Sequence, residues 1–300
     1  MKLSFKDRLI AAMVIAFLKL LAALPFSVTQ ALGRGLGRLL YWLPNSQKEV
    51  ARCNLAAAYP DLSGAERQIL LKDLLQQSAQ SIFELGPFWI WPKDKLMERI
   101  EKVSGEALLN DALQQEKGIL FLAPHFGAWE LIGPYLSSRF PSTFMYRPPN
   151  LIGLDDFMVE SRGRFGADLA PTDLRGVRKL IQALNQGQIS VILPDQDPGE
   201  KGSVYAPFFK RPARTMTLVN KLLQKADCAV MYVVMQRLPN GRFHLHFLPA
   251  EEALTDRDEL IAAGALNRGV EACIAVAPEQ YLWSYKRYRK PPPGWKDVYR

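Results

Sequence analysis

Cysteine and histidine are scarce in this 300-residue chain, with three of each. Cys53, Cys228 and Cys273 lie far apart, an odd set that offers neither a disulfide framework nor a zinc-ligand spacing. They read as reduced core thiols of a cytosol-facing protein. No apolar run reaches the about 20 residues that a bilayer span needs. Leu9–Leu24 carries Lys19 and ends at Pro25. Internal repeats and low-complexity segments are missing, as are a G-x-S-x-G nucleophile motif and an RNA-binding signature. These absences exclude a polytopic membrane protein, a disordered chain and a collagen. What remains is ordinary globular composition, 48% hydrophobic and 23% charged, enough for one large domain or two small ones.

Charge is the first positive feature. Lys and Arg exceed Asp and Glu by 38 to 30, a formal net charge of +8, which points to an anionic partner: a membrane surface, a nucleic acid or a phosphorylated substrate. Lys286–Arg300 mixes Lys286, Arg287, Arg289, Lys290, Lys296 and Arg300 with Tyr288, Trp295 and Tyr299, against the single acid Asp297. That mixture suits a lipid headgroup interface or, equally, a solvated basic tail. At the other end Lys2, Lys6 and Arg8 precede the Leu9–Leu24 stretch. A signal peptide, a short tilted anchor and an interfacial helix with a snorkelling Lys19 compete there. No clean cleavage site follows. Instead residues 28–44 continue with Arg34 and Arg38 beside Leu32, Leu36, Leu39 and Leu40. The pattern therefore favours an anchor or interfacial region over residues 1–44.

Residues 45–117 read as a helical lead-in, with Ser63 and Glu66 as a capping box. The stretch Leu96–Gln115 contains a second helix. From Gly118 the pattern alternates between strands and helices. Strands are expected at GILFLAPH (118–125), STFMY (142–146), ISVILPD (189–195), CAVMYVVMQRL (228–238) and GRFHLHFLP (241–249), the last two joined by a Pro239-Asn240-Gly241 turn. Helices are expected at 126–140, 174–187, 216–227 and 257–276. The fold class is α/β, a central mixed sheet flanked by helices, with the α/β core over 118–285 and a basic tail at 286–300.

Among the histidines, His244 and His246 alternate on one strand and read as a polar strand face. His125 stands at the carboxyl end of a buried strand, where open α/β sheets bind ligands. Glu130 follows five residues on. The two side chains meet only if His125 lies in the turn before a helix, an entry that Pro124 and Gly127 permit. The carboxylate would then hold one ring nitrogen and leave the other as a base for a substrate hydroxyl.

The ordered set H-F-G-A-W-E (125–130), RGRFGADL (162–169), ISVILPDQDPGEKGSVYAPFFKRPARTMT (189–217) and APEQYLWSYKRYRKPPPG (277–294) resembles the late, secondary lipid A acyltransferases of Gram-negative bacteria, lauroyl/myristoyl type. The resemblance covers nearly the whole chain. It implies acyl transfer from an acyl carrier protein thioester to a hydroxyl of a lipid A precursor, at the cytoplasmic side of the inner membrane. It also implies His125 as general base, Glu130 as its orienting carboxylate, Arg164 as a substrate-anion ligand with Arg162 close by, and Asp195 as the acid of the second motif. Such chemistry needs no metal or bound cofactor. Another lipid as acceptor stays open, since H-F-G-A-W-E does not choose among them.

Overall fold

The computed structural model describes residues 5–149 and 151–300; Lys2, counted with the basic start above, lies outside them. Two helices, α1 (Phe5–Ala23) and α2 (Phe26–Trp42), are separated at Pro25. They pack on the long α4 (Gly64–Ile90), which follows α3 (Ser46–Ala58). The expected capping box opens α4: the Glu66 amide donates to Ser63 Oγ at 3.2 Å and the Ser63 amide to Glu66 Oε2 at 2.8 Å. Gly33 and Gly37, four apart and so on one face of α2, let the two helices touch. A Cβ at Gly37 would lie 2.3 Å from Gln76 Cα, and one at Gly33 2.7 Å from Gln80 Cα. On the opposite side Phe5, Leu9, Met13 and Phe17 recur every four residues along α1 and stay exposed, as do Leu32, Leu39 and Trp42 on α2. No helix among the described residues is long and apolar enough to cross a membrane.

The lead-in differs from expectation. After the short α5 (Lys93–Met97) comes a strand, β1 (Ile100–Ser104), and only then α6 (Glu106–Gln114). Its sequence IEKVS has two charges in five residues, too polar to stand out from flanking helices, but it gains its partner from far away. The remaining strands are β2 (Gly118–Leu122), β3 (Ser142–Tyr146), β4 (Ala167–Pro171), β5 (Ile189–Ile192), β6 (Ser203–Phe208), β7 (Arg211–Met216), β8 (Cys228–Arg237) and β9 (Phe243–Pro249). Seven form one sheet in the order β1-β9-β8-β2-β5-β3-β4, and β6 and β7 pair as a separate hairpin. Pairing is parallel except between β8 and β9, which makes the sheet mixed. The helices are α7 (Ile132–Ser137), α8 (Asp155–Gly163), α9 (Leu174–Asn185), α10 (Leu218–Leu223) and α11 (Glu259–Ala275). The helix expected over 126–140 shrinks to a 3-10 turn at Trp129–Leu131 and α7.

β2 is buried along its whole length. Its side chains alternate between two cores, as the period of a strand requires. Leu120 and Leu122 join Phe126, Leu184, Tyr232 and Trp283 on one face. Ile119 and Phe121 join Leu96, Leu131, Val233 and Phe247 on the other. The strand that ends at the His125 turn is thus packed on both faces.

His244 and His246 on β9 have ring centroids 3.7 Å apart. His244 Nε2 meets Ser104 Oγ at 2.8 Å and His246 Nε2 meets Gln236 Oε1 at 2.9 Å. Burial, then the His244 ring and Lys102, push His246 down to about 4, from an ordinary value of about 6.5. On acidification the unfolded chain takes up this proton before the folded one. The stability it contributes is therefore present above about pH 6.5 and is lost as pH falls through about 4. Melting temperature is expected to drop across that window, and His246→Gln to remove part of the slope. An unaltered slope in the variant would place the acid sensitivity elsewhere.

Candidate active site

His125 lies just beyond β2, in a turn fixed on both sides. The Phe126 amide donates to the Pro124 carbonyl at 2.7 Å, and Gly127 has a φ of 56°. A Cβ on Gly127 would stand 2.0 Å from the Met235 carbonyl oxygen, so only glycine fits. Three bonds tie the turn to neighbouring chain: the Gly127 amide to the Gln280 carbonyl at 2.9 Å, Ala128 to Met235 at 2.8 Å, and Leu282 to His125 at 3.0 Å. Gln280 itself clamps the end of β8, accepting from the Arg237 amide at 2.8 Å and donating to its carbonyl at 2.9 Å. The C-terminal block thus builds the floor of the histidine turn.

The carboxylate that reaches the imidazole is Asp195. Strand register explains this: Leu122 of β2 pairs with Ile192 of β5, so residues three further along each chain emerge side by side. His125 Nδ1 is 2.9 Å from Asp195 Oδ1, and the His125 backbone amide donates to Oδ2 at 3.1 Å. Both side chains are sheltered, 14% and 2% exposed. Burial would raise the Asp195 carboxyl, but the charge of the imidazole and the hydrogen bonds from His125 outweigh it and hold the group below the usual carboxylate range. With Nδ1–H donating to Asp195, Nε2 is left as the acceptor, 3.2 Å from the Gln196 amide nitrogen. The Trp129 ring stands edge-on to the imidazole at 5.0 Å.

Glu130, expected to orient the imidazole, is engaged elsewhere. Its Oε1 accepts from Arg162 Nη2 at 2.8 Å and its Oε2 from the Trp89 indole at 3.1 Å. The reason is local: Glu130 sits in the 3-10 turn after the tight Gly127 bend, where it meets α8 and the end of α4. Among the described residues, the carboxylate hydrogen-bonded to His125 is Asp195. His125 and Glu130 do share one cavity wall.

The two arginines of RGRFGADL separate. Arg162 reaches that cavity and lies 5.8 Å from the Tyr146 ring and 6.0 Å from that of Trp89. Arg164, the expected anion ligand, turns back: its Nη2 donates to the Phe88 carbonyl at 2.9 Å and its guanidinium covers Phe165 at 4.3 Å. Burial lowers the Arg164 pKa. Helical geometry accounts for the split, since Arg162 lies on the last turn of α8 and Arg164 caps it. Of the two, Arg162 is the one that lines the cavity, together with Arg147.

Two arginines of the C-terminal basic run hold the structure together, while Lys286, Lys290, Lys296 and Arg300 stay exposed. Arg287 is buried, donating to the Arg214 carbonyl at 2.6 Å and to Thr215 Oγ1 at 3.0 Å. Arg289 pairs with Asp197 at 2.6 Å. Asp197, two residues after Asp195, thereby locks the second motif to the C-terminal block.

Two cavities flank His125 and Trp129. The larger, about 310 Å³, lies over the carboxyl ends of β2, β5 and β3. Its wall is mostly apolar, including Phe88, Ile132, Phe144, Val191 and Leu193, with Arg147 and Arg162 among its polar groups. The smaller, about 160 Å³, lies against α4, and apart from His125 its lining is uncharged, with Ser78, Ser81, Gln280 and Ser284 beside Leu40, Ile82 and Leu85.

The α/β sheet thus holds a paired imidazole at the end of a central strand, between two largely apolar cavities, an arrangement suited to an enzyme of the acyl-transferring class. A family model for bacterial lipid A biosynthesis acyltransferases matches residues 2–290. The chain belongs to that family and is an acyltransferase. It is 30% identical over 282 residues to the lipid A biosynthesis lauroyltransferase of Escherichia coli (strain K12), covering 93% of this chain and 91% of that one. Against the palmitoleoyltransferase of the same organism it is 30% identical over 277 residues, 92% of this chain and 90% of that one. Against the myristoyltransferase it is 26% identical over 264 residues, 86% and 80% of the two chains.

Proposed function

We propose that this enzyme transfers a fatty acyl chain from an acyl carrier protein thioester to a hydroxyl of a lipid A precursor. The observation that carries the reading is the His125–Asp195 pair between two largely apolar cavities, the larger of which also holds Arg147 and Arg162. The donor's chain lies in the larger cavity, with its thioester carbonyl beside His125. The acceptor hydroxyl displaces Gln196 from Nε2 and gives that nitrogen its proton. The alkoxide oxygen bonds to the thioester carbon, the carbonyl pair shifts to oxygen and returns, and the C–S bond breaks. The departing thiolate takes the proton back from the imidazolium. Asp195 stabilises the charged ring throughout, in the way that a buried carboxylate serves a catalytic histidine. No nucleophile on the protein is needed, because a thioester is already a good acyl donor.

Arg162 and Arg147 supply the positive charge that a phosphorylated acceptor requires. Glu130 and Trp89 hold Arg162 in place, which makes Glu130 a positioning residue for the cation. The exposed apolar faces of α1 and α2 support a lipid-surface placement at the bacterial inner membrane, with the sheet on the cytoplasmic side. Ile82, half-exposed on α4, also lines the smaller cavity, so that cavity adjoins the outer apolar surface and suits the acyl chains of an acceptor whose phosphorylated headgroup crosses past His125 to Arg162 and Arg147.

The test is transfer from acyl carrier protein thioesters to a purified lipid A precursor, read by mass spectrometry of the acceptor. An acceptor that gains no acyl group while another lipid does would redirect the reading to that lipid. In the same assay Arg162→Lys is expected to raise the acceptor KM by about 10- to 150-fold, the worth of a charge-assisted pair of roughly 1.5–3 kcal/mol. The donor KM should hold. Arg164→Lys should change thermal stability and leave the acceptor KM unmoved. A defect confined to the donor would sink the assignment of Arg162.

A further inference from the structure

Gly133 occupies the first turn of α7, on the wall of the larger cavity. Pro134 follows, and a Cβ before proline is disfavoured in helical backbone, so glycine eases that step of α7. Its φ is not among the positive ones, so no left-handed conformation demands glycine. Packing beyond Pro134 does not demand it either: among the described residues, a Cβ built on Gly133 meets one neighbour, Phe144 Cε2, at an ordinary 3.7 Å. The contrast with Gly127, Gly118 and Gly176 is sharp, since a Cβ at each would press within about 2 Å of a carbonyl oxygen. Apart from the step into Pro134, Gly133 relieves no clash with the described residues around it. What its missing side chain leaves is space, and that space belongs to the cavity shared with His125.

The cavity around it is apolar. Ile132, Phe144 and Val191 stand beside Gly133, while the charged groups Glu130, Arg147 and Arg162 lie in the same lining. A side chain at position 133 would enter volume that a hydrocarbon chain can fill. From this we infer that Gly133 sets the length of acyl chain that the enzyme accepts. The inference rests on the reading of the larger cavity as the donor's acyl site. Each methylene excluded from an apolar site weakens binding roughly fourfold, so two cost on the order of tenfold.

The experiment measures kcat/KM with acyl carrier protein donors of ten, twelve, fourteen and sixteen carbons at fixed acceptor, for the wild type and for Gly133→Ala, Gly133→Val and Gly133→Leu. Melting temperature is recorded for each. The expected result is a preference that moves stepwise to shorter donors as the side chain grows. The ratio of longest to shortest donor falls on the order of tenfold or more in Gly133→Leu, while the shortest donor keeps its rate. Gly133→Ala should stay folded at the assay temperature and show the first step of the shift. An unchanged length profile, a uniform loss on all donors from stably folded variants, or a shift that follows the acceptor's chains instead of the donor's would each overturn the inference. A wild type that transfers from none of the donors would overturn the proposed function, and the inference with it.

Discussion

His125→Ala is expected to lower acyl-transfer turnover by about 10²–10⁴-fold and to leave the melting temperature close to that of the wild type. The side chain stands at the mouth of a strand, and the turn that bears it is held by backbone bonds from Gly127, Ala128 and Leu282 that alanine preserves. Asp195→Asn should approach the same loss. The carboxylate accepts from both Nδ1 and the backbone amide of His125, so an asparagine can present its oxygen to only one of them. Where it presents –NH₂ to Nδ1, the ring must carry its proton on Nε2, and the atom that should take the acceptor's proton is already occupied. The equivalent exchange in a serine protease triad costs about 10⁴-fold for that reason. Glu130→Gln should act differently, raising the acceptor KM through Arg162 while kcat changes less. Steady-state kinetics with both substrates varied separates the cases. Asp195→Asn with near-normal kcat and Glu130→Gln without any would return the orienting role to Glu130.

The contrast between these two carboxylates shows where sequence reading reached and where it stopped. His125 was legible because an apolar strand, a proline and a glycine surround it, a local pattern. Asp195 was legible as the acid that opens the second motif, through resemblance to a family. Their partnership was not, because it depends on the register of β2 against β5, strands separated by 70 positions at the paired residues. A local rule offered Glu130 as the nearest carboxylate, and the tight bend at Gly127 turned it toward α8. Arg162 and Arg164 failed to separate for a similar reason: two residues apart on a helix end they face different ways, and only the position of α4 decides which meets the cavity. β4 was missed because ADLAP holds an aspartate and a proline, tolerable at the edge that it occupies. The β6–β7 hairpin lay inside a segment recognised by its motif, which hid its strand pattern. The sheet, its central strands and its mixed character followed from alternation and from the hairpin turn at Asn240-Gly241.

The deepest feature hidden from the sequence is the ion pair between Glu84 of α4 and Arg237 of β8, with side chains 0% and 3% exposed. Glu84 sits among apolar neighbours at helical spacing and would pass for a surface residue, since its partner lies 153 positions away. Arg237 Nε donates to Glu84 Oε2 at 2.7 Å, and Gln30 Nε2 of α2 donates to Oε1 at 2.9 Å. Arg237 Nη2 also reaches Ser81 Oγ at 2.8 Å and the Gly127 carbonyl at 2.9 Å. The pair therefore joins the α1–α2–α4 layer, the sheet and the histidine turn at one point. Glu84→Gln is expected to destabilise the fold by about 3–5 kcal/mol, because it strands the guanidinium charge away from water. Removing both charges should cost much less than the two single changes together. Arg237 Nη1 already lies buried with no hydrogen-bond partner among the described residues, so the pair is imperfectly satisfied and an apolar replacement of similar volume forfeits little. The Glu84→Met, Arg237→Met double variant should accordingly recover much of the stability lost in either single one, with a coupling of about 1–3 kcal/mol in the double-mutant cycle. Activity should not recover with it, since the Gly127 carbonyl loses its donor and the turn that aims His125 is freed on one side. Denaturant unfolding and turnover measured on all four proteins check both halves. A Glu84→Gln variant that unfolds within about 1 kcal/mol of the wild type would mean that water reaches Arg237, as it does for surface pairs. A double variant with full turnover would remove the pair from the support of the active site.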